Sequence, residues 1–292
     1  LLKEKIFKNI WIQPASGDAG GALGAALAVY YLKLNKKRDF DNVNDQMNGS
    51  YLGPKYDSTE ISESLNNIGA NYKQLSQKEI IKSTALYLSK GKAIGWMSGR
   101  MEFGPRSLGA RSILADPRSP KMQKQLNLKV KYRESFRPFA PSILYEDLSE
   151  WFDIKCSSPY MLLVSDIADS KKIKMTTKQE LLFGIDKLNI KRSIIPAITH
   201  VDYSARIQTV HKETNPIYYS LISEFKKITG CPVLVNTSFN VRGEPIVLSP
   251  EHAFRCFMGT ELDILVIDNF ILFKEDQNIS LKENYKNKYE LD

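Results

Sequence analysis

The chain has 292 residues, of which 42% are hydrophobic and 25% are charged, and its Lys and Arg residues exceed its Asp and Glu residues by eight. This composition is typical of a globular protein with one or two cores, and it excludes collagen-like, fibrous and largely disordered proteins. No apolar run reaches the roughly 18 residues of a membrane span. Three cysteines without CxxC spacing indicate neither a disulfide framework nor a zinc ribbon, so we expect a cytoplasmic protein.

The first predicted elements lie on either side of a polar run. The start of the chain has neither an initiator Met nor the apolar length of a secretory signal, so we expect the back part of a longer polypeptide. A glycine-rich turn at 13–18 leads into a helix of small residues that could pack closely on another backbone. The polar run 35–50, closed by Gly53-Pro54, is the predicted boundary between residues 1–52 and 53–292.

Beyond the boundary, helical and extended segments alternate. One helix is expected to be capped by Ser58 and to run to about residue 68, and another, behind a Ser76–Glu79 capping box, to run up to Gly91. Strands are expected at 93–97, 160–164, 206–210 and 233–236. Further helices are expected near 121–130, from Pro216 to Gly230 and from Ser249. A hairpin of 264–267 and 270–273 follows, and then a poorly ordered tail from Asp276. This order predicts an α/β fold with a mixed sheet, with loops and short elements elsewhere between 99 and 140.

The excess positive charge is local. Residues 91–140 hold eleven basic residues against three acidic ones, which accounts for the whole net charge of +8. A basic stretch in an otherwise neutral protein favours one site for a small anion over a surface for a polyanion. From the charge alone, a solvated basic face is an equally good interpretation.

Two arginine-rich segments, 99–112 and 131–138, form the first candidate site. The guanidinium group is a rigid fork of N–H donors that matches phosphate or carboxylate oxygens. The Gly and Pro residues between the arginines let backbone N–H groups approach the same anion. Surface salt bridges are the alternative interpretation, but Glu102 and Glu134 are too few to pair with all these cations.

Two further groups are more ambiguous. Residues 235–240 place Asn and Ser side chains after an apolar strand, where open α/β sheets bind ligands, but they are equally typical of a plain turn. Asp18 fits a carboxylate that faces a metal or a phosphate, although a helix cap is the favoured interpretation. The histidines have neither metal-binding nor hydrolase-triad spacing, so they predict no site by themselves.

At these residues the chain resembles the carbamoyltransferase family that includes NodU-type nodulation proteins and antibiotic O-carbamoyltransferases. Residues 99–112 resemble the family's GRxEFGPRALGxRSIL signature, and 131–141 resemble KxRExFRPFAP. Residues 200–210 resemble HVDGxARxQTV, and 236–240 match NTSFN. Ser107 and Tyr203 depart from the usual Ala and Gly. The resemblance covers nearly the whole chain but only the back part of the family's length.

The resemblance implies a YrdC-like α/β domain from about Gly53, with a twisted mixed sheet and flanking helices, preceded by a remnant of an actin-like ATPase-superfamily domain. It implies an ATP-dependent carbamoyltransferase whose C-terminal part forms carbamoyl-adenylate from carbamoyl phosphate and ATP, for transfer to a hydroxyl acceptor. ATP with Mg²⁺ is the implied cofactor. Fe²⁺ or another divalent metal is implied only with the upstream domain, because the family's HxxxH ligands would lie there.

The resemblance also implies roles for individual residues. The catalytic residues, which would hold carbamoyl phosphate and the nucleotide phosphates, are Arg106, Lys131, Arg137 and Arg206. The residues that would otherwise bind nucleotide or carbamoyl phosphate are Arg100, Arg111, Arg133, Asn236, Ser238 and Asn240. The metal ligand would be Asp18.

The expected partners are carbamoyl phosphate, ATP, a hydroxyl acceptor, the upstream actin-like domain and, in a homodimer, a second copy, but no membrane. The acceptor itself stays open. The alternative hypothesis is a nucleic-acid-binding YrdC-like module without catalysis. Because the excess charge is confined to about fifty residues and no RNP or helix-turn-helix pattern is present, the enzyme is the favoured interpretation.

Overall fold

The computed structural model describes residues 4–7, 10–39, 46–285 and 289. The strands of this part, in chain order, are β1 (Lys73–Gln74), β2 (Ile94–Met97), β3 (Arg111–Ala115), β4 (Ala140–Leu144), β5 (Leu163–Asp166), β6 (Ser204–Val210), β7 (Val233–Ser238), β8 (Ile264–Ile267) and β9 (Phe270–Phe273). The α-helices are α1 (Asp18–Ala28), α2 (Ser58–Asn67), α3 (Gln77–Ser89), α4 (Met122–Lys129), α5 (Leu148–Trp151), α6 (Thr177–Glu180), α7 (Gly184–Leu188), α8 (Pro216–Thr229) and α9 (Pro250–Gly259).

The strands form one sheet in the order β1-β9-β8-β2-β3-β7-β4-β6-β5. β2 pairs in parallel with β8, and β4 pairs in parallel with β6, whereas the other neighbours are antiparallel. Helix α8 packs on β4 and β7, and α9 packs on β8 and β2. The predicted α/β fold with a mixed sheet is therefore confirmed.

Local sequence signals explain most helix ends. Ser76 and Glu79 form the predicted capping box of α3, and α8 ends at Gly230 in the left-handed conformation that glycine adopts without strain. The prediction that Ser58 caps α2 is wrong, because the Asp57 side chain accepts the hydrogen bonds of the first turn. Asp is an equally good N-cap, so the helix starts one residue after it.

The interval 99–140 differs most from its prediction. It contains β3 and the start of β4, two fully buried central strands, where loops and short elements were expected. Polar residues such as Arg111, Ser112 and Ser142 interrupt the apolar run that normally indicates a buried strand. The predicted strand at 160–164 is also displaced, since β5 begins only at Leu163.

The two ends of the chain also differ from expectation. Helix α1 continues into a π-helical turn, Val29–Lys33, and neither element buries a residue. Its close backbone contact is local, since a Cβ atom added at Gly20 would lie 2.3 Å from the Ala15 carbonyl oxygen. The predicted boundary run falls partly on residues 40–45, which lie outside the described residues. The prediction of a poorly ordered tail is wrong as far as Tyr285, which is buried against Gly259. Among the described residues, no helix has the length and apolar character to cross a membrane.

Candidate functional site

One edge of the sheet gathers residues from distant parts of the chain. β2 and β7 end at this edge, whereas β3, β4 and β6 begin there, as their pairing directions require. The arginine-rich segments 99–112 and 131–138 and the polar segment 235–240 therefore meet there. Each was a separate candidate in the sequence, and the sheet makes them neighbours.

Buried side chains hold the loop that joins β2 to β3, here called the signature loop (98–110). Three consecutive carbonyls, of residues 107–109, each accept a hydrogen bond from a side chain on the sheet. The donors are Asn236 Nδ2 at 3.1 Å, Gln208 Nε2 at 2.7 Å and Trp96 Nε1 at 2.9 Å. Because all three donors are buried, water cannot replace these bonds, and the loop is held in one conformation.

Glu102 fixes the same loop from within. Its carboxylate is 6% exposed, and Oε1 accepts from the backbone N–H groups of Leu108 at 2.5 Å, Ala110 at 2.8 Å and Arg111 at 3.3 Å. Burial raises the pKa of Glu102, and the N–H groups of Ala110 and Leu108 and the positive charge of Arg111 oppose that rise. Sequence analysis treated Glu102 only as a salt-bridge partner. Its spacing six to nine residues before its donors did not reveal this role.

Gly109 lets the signature loop lie directly on helix α8. Its φ is +101°, a backbone conformation that favours glycine. A Cβ atom added there would also lie 2.2 Å from the ring of Tyr218. The backbone conformation and the close contact both require glycine at this position.

Arg111 is buried inside the loop instead of facing a ligand. It is fully buried, and its guanidinium donates to the carbonyls of Gly99 at 3.1 Å, Ala110 at 3.1 Å and Pro54 at 3.3 Å. Burial lowers the pKa of Arg111, and the negative charge of Glu102 opposes the shift. Arg111 was predicted to bind a ligand, but in the structure it stabilises the signature loop.

Arg106 and Arg206 differ from Arg111 because their charges have no acidic partner. Within the part of the chain that the structure describes, neither guanidinium forms an ion pair. Among the described residues, Arg106 Nε is buried without a hydrogen-bond partner, and Arg206 Nη2 contacts only the sulfur of Met161, at 3.8 Å. The pKa of Arg206 is lowered by burial and then by the positive charge of Arg106. The two cations are thus close together, and an anion between them would relieve their repulsion.

Two more buried polar atoms beside these arginines have no partner in the part of the chain that the structure describes. They are Ser107 Oγ and Asn236 Oδ1, in residues that are 4% and 1% exposed. A buried polar atom without a hydrogen bond is destabilising. A ligand that offers both N–H donors and oxygen acceptors would satisfy these two atoms together with Arg106 Nε.

Lys131, Ser238 and Asn240 form a second cluster at the same edge. The ammonium of Lys131 is 3% exposed and donates to Asn240 Oδ1 at 2.8 Å, the Asn240 carbonyl at 2.9 Å and both oxygens of Ser238. Ser238 Oγ donates to Asn240 Oδ1 at 2.7 Å. Burial, followed by the charge of Arg133, lowers the pKa of Lys131 to about 7. The three predicted residues do meet, but the protons of the ammonium are all used internally.

Arg133 and Arg137 also have partners within the chain. Arg133 Nε donates to Asn127 Oδ1 at 2.7 Å, and its guanidinium lies 5.1 Å from the centre of the Phe139 ring. Burial and the charge of Arg137 lower the pKa of Arg133 to about 10. Arg137 Nε lies 3.1 Å from a carboxylate oxygen of Glu134.

Arg100 and Asp18 lie apart from both clusters. Arg100 is exposed, and its Nη1 donates to the Gly53 carbonyl at 3.0 Å. Asp18 is exposed in the first turn of α1. The described residues contain no group of three His, Cys, Asp or Glu side chains that could hold a metal. Asp18 alone does not fit a metal centre, so no step is derived through a metal.

Sequence reasoning missed His200. Its Nδ1 lies 3.1 Å from Ser204 Oγ, which donates to Asp202 Oδ1 at 2.7 Å. The search for histidines at metal-binding spacing could not find this arrangement. The available signal was the position of His200 and Asp202 in a signature that also contains Arg206.

Comparisons with known proteins show to which family the chain is similar. A family model described as "Carbamoyltransferase C-terminus" matches residues 85–274, and one described as "Carbamoyltransferase N-terminus" matches residues 1–27. An uncharacterized protein of Synechocystis sp. is 54% identical over 100% of this chain and 48% of its own length. Nodulation protein NolO of Bradyrhizobium diazoefficiens is 39% identical over 96% of this chain and 47% of its own length. The chain spans about half the length of these relatives.

One solved structure shows a weaker likeness. The crystal structure of full-length HypF in the phosphate- and nucleotide-bound form aligns with 66% of this chain and 25% of that protein. The identity is 18% and the TM-score is 0.41, which is below the level at which a shared fold can be inferred.

Proposed function

The chain belongs to the carbamoyltransferase family, and we propose that it is the part of an ATP-dependent enzyme that forms carbamoyl-adenylate. Carbamoyl phosphate and ATP would be its substrates, and the carbamoyl group would then pass to a hydroxyl acceptor. The observation that carries the proposal is the pair Arg106 and Arg206, two adjacent cations without an acidic partner among the described residues.

The unpartnered atoms of the site match the chemistry of carbamoyl phosphate. Phosphoryl and adenylyl transfer spread negative charge over phosphate oxygens, which preplaced guanidinium groups stabilise. Arg106 and Arg206 would hold these oxygens. The carbamoyl group adds an N–H donor and a carbonyl acceptor, which match Asn236 Oδ1 and Arg106 Nε. An inorganic anion without a proton, such as sulfate, would leave Asn236 Oδ1 without a donor.

The other predicted site residues have less direct roles in this proposal. Ser238 and Asn240 would contact the nucleotide beside Lys131. For Lys131 and Arg137 to contact phosphates themselves, their present bonds to Ser238, Asn240 and Glu134 would have to open. Mg²⁺ would enter with the phosphates of ATP.

We further propose that residues 1–52 complete an upstream actin-like domain and that residues 53–292 are a YrdC-like domain. Exposed apolar side chains support the first part, since Trp11 is 71% exposed and Leu32 is 77% exposed. Such side chains would be buried against an upstream domain. That domain would supply the acceptor site and the remaining ligands of a metal held with Asp18. We also propose that the protein forms a homodimer and is located in the cytoplasm.

The test is a product assay on the chain itself. With carbamoyl phosphate, ATP and Mg²⁺ together, we expect release of both pyrophosphate and inorganic phosphate. Omission of either substrate should reduce pyrophosphate release to background, which separates adenylation from simple ATP hydrolysis. Background release with both substrates, combined with duplex RNA binding that weakens steeply with salt, would overturn the proposal and favour a nucleic-acid-binding module.

A further inference from the structure

The loop before β6 contains a chain of hydrogen bonds that ends at an imidazole. Asp202 Oδ1 accepts from both the backbone N–H and the hydroxyl of Ser204, at 3.0 Å and 2.7 Å. The backbone N–H of His200 donates to the Ser204 carbonyl at 2.9 Å, which closes the loop. A carboxylate, a hydroxyl and an imidazole are thus held in line by the backbone of five consecutive residues.

This chain determines which nitrogen of His200 carries the proton. A serine hydroxyl has one proton, and Ser204 gives it to the carboxylate of Asp202. Ser204 Oγ can therefore only accept at its 3.1 Å contact with His200 Nδ1. The proton of the neutral imidazole is on Nδ1, and Nε2 keeps a lone pair that can accept a proton.

His200 lies near Arg206, one of the two arginines without an acidic partner among the described residues. Ser204, Arg206 and Gln208 alternate along β6, so they share one face of the sheet. Gln208 on that face holds the signature loop, and the charge of Arg206 acts directly on His200. The imidazole also lines an open cleft with a volume of about 560 Å³. Phe136 and Pro138, the sequence neighbours of Arg137, line the same cleft.

We propose that His200 is the general base for the cleavage of carbamoyl phosphate by water, an assignment that rests on the proposed function. The carbamoyl oxygen must attack the α-phosphorus of ATP, so its bond to the first phosphate has to break beforehand. In this step the water oxygen bonds to that phosphorus while its proton passes to His200 Nε2. The bridging P–O bond breaks, and carbamate leaves with the electron pair. Carbamate then attacks ATP and displaces pyrophosphate.

The charges around the imidazole favour its neutral form. Burial lowers the pKa of His200 below its ordinary value, and the positive charges of Arg206 and Arg192 lower it further, whereas Asp202 opposes the shift. Arg192 donates to the His200 carbonyl, and Lys187 lies across the cleft. A base that is neutral at pH 7 is ready to accept a proton.

The test compares wild type, His200→Gln and His200→Ala in release of inorganic phosphate and pyrophosphate from pH 5.5 to 8.5. We expect kcat to fall by about 10²-fold or more in both variants, with KM for carbamoyl phosphate changed by less than about threefold. The wild-type rate should decline on the acid side with a midpoint below 6.5, the ordinary pKa of histidine, and this decline should vanish in His200→Ala. Added imidazole should restore part of the His200→Ala rate, which a purely structural role would not allow.

His252→Gln is the matched control, because His252 is exposed on α9, away from β6, and it should keep the wild-type rate. An active wild type with unchanged His200 variants would overturn this assignment and leave the proposed function intact. A loss of rate with a lower melting temperature and no imidazole rescue would also overturn it, in favour of a structural role. If the wild type releases neither product, the proposed function fails and the assignment fails with it.

Discussion

The cations at the sheet edge fall into two groups that differ in what their donors contact. Arg106 and Arg206 are half-buried, adjacent and without an acidic partner among the described residues. Arg111 and Lys131 are buried more deeply. The Nη atoms of Arg111 and the ammonium of Lys131 are bound to carbonyl, hydroxyl and amide oxygens of the chain itself, whereas Arg111 Nε has no partner among the described residues. The first group can add a ligand without losing a bond. Lys131 and the Nη atoms of Arg111 can do so only by breaking one.

This difference separates ligand-holding residues from residues that maintain the shape of the site. All four cations lie within the sequence signatures described above, so residue type and motif do not distinguish them. A hydrogen bond that involves a charged group contributes about 1.5–3 kcal/mol. A cation that makes two or three such bonds to the chain itself therefore maintains the shape of the site instead of holding a ligand.

The largest expected effect comes from removal of a ligand-holding cation. Arg206→Ala should lower the rate of pyrophosphate release by about 10³-fold, since a positioned arginine in phosphoryl transfer contributes at least that much. The melting temperature should change little, because Arg206 has only a weak contact with Met161. Initial rates and thermal unfolding of the same preparation measure both quantities.

Arg255→Ala is the matched control, because Arg255 is an exposed arginine on α9 that lies 4.0 Å from its Glu283 partner, and its variant should keep the wild-type rate. If Arg206→Ala unfolded the protein instead, Arg206 would be one of the residues that maintain the shape of the site. The proposed difference between the two groups of cations would then be wrong.

Arg111→Met should give the opposite pattern. It removes the donors for three carbonyls and the positive charge near Glu102, so the free energy of unfolding should fall by about 3 kcal/mol. Urea unfolding followed by tryptophan fluorescence measures the loss. A folded and stable Arg111→Met protein that has lost only activity would place Arg111 among the ligand-holding residues.

Lys131 predicts a dependence of stability on pH. Its pKa is about 7 in the folded chain against an ordinary value of 10.5, so the unfolded chain binds more protons between these values. Stability should therefore rise as the pH increases from about 7 to 10.5. Lys131→Met should reduce this slope by up to about 1.4 kcal/mol per pH unit, and Lys274, whose pKa is also lowered to about 7, should maintain the rest.

Urea unfolding at several pH values between 7 and 10 gives the slope. Lys129→Met is the control, because Lys129 is exposed and paired with Glu261, and it should leave the slope unchanged. An unchanged slope in Lys131→Met would mean that the ammonium keeps its charge when buried.

Much of the fold could be predicted from the sequence where local signals act alone. The hairpin of β8 and β9 around Asp268-Asn269 is confirmed, as is helix α8 between Pro216 and Gly230. β3 and β4 could not be predicted, because their polar residues Arg111 and Ser142 pair with distant parts of the chain. Burial of such residues is decided by the tertiary partners, and their pattern gives no local sign of it.

Some features of the site could likewise be predicted from the sequence, and others could not. The arginine-rich signatures predicted an anion site, which stays a prediction, and the sheet brings Arg106, Arg206 and Asn236 together. The sequence could not show that Arg111 donates inward or that His200 is aligned by Ser204. Both facts depend on side-chain direction and on loop closure, which a motif does not specify.

The smallest effect is expected for Arg133, which we count among the residues that maintain the shape of the site because its Nε donates to Asn127. Arg133→Lys keeps a positive charge but loses the bond from Nε to Asn127 and the planar contact with Phe139. Lysine cannot reproduce the guanidinium fork, so the free energy of unfolding should fall by about 1 kcal/mol. The rate of pyrophosphate release should stay within about threefold of wild type, because the charge near the phosphates remains. Paired urea unfolding and initial-rate measurements would test this, and a rate loss of about 10²-fold at unchanged stability would move Arg133 into the ligand-holding group.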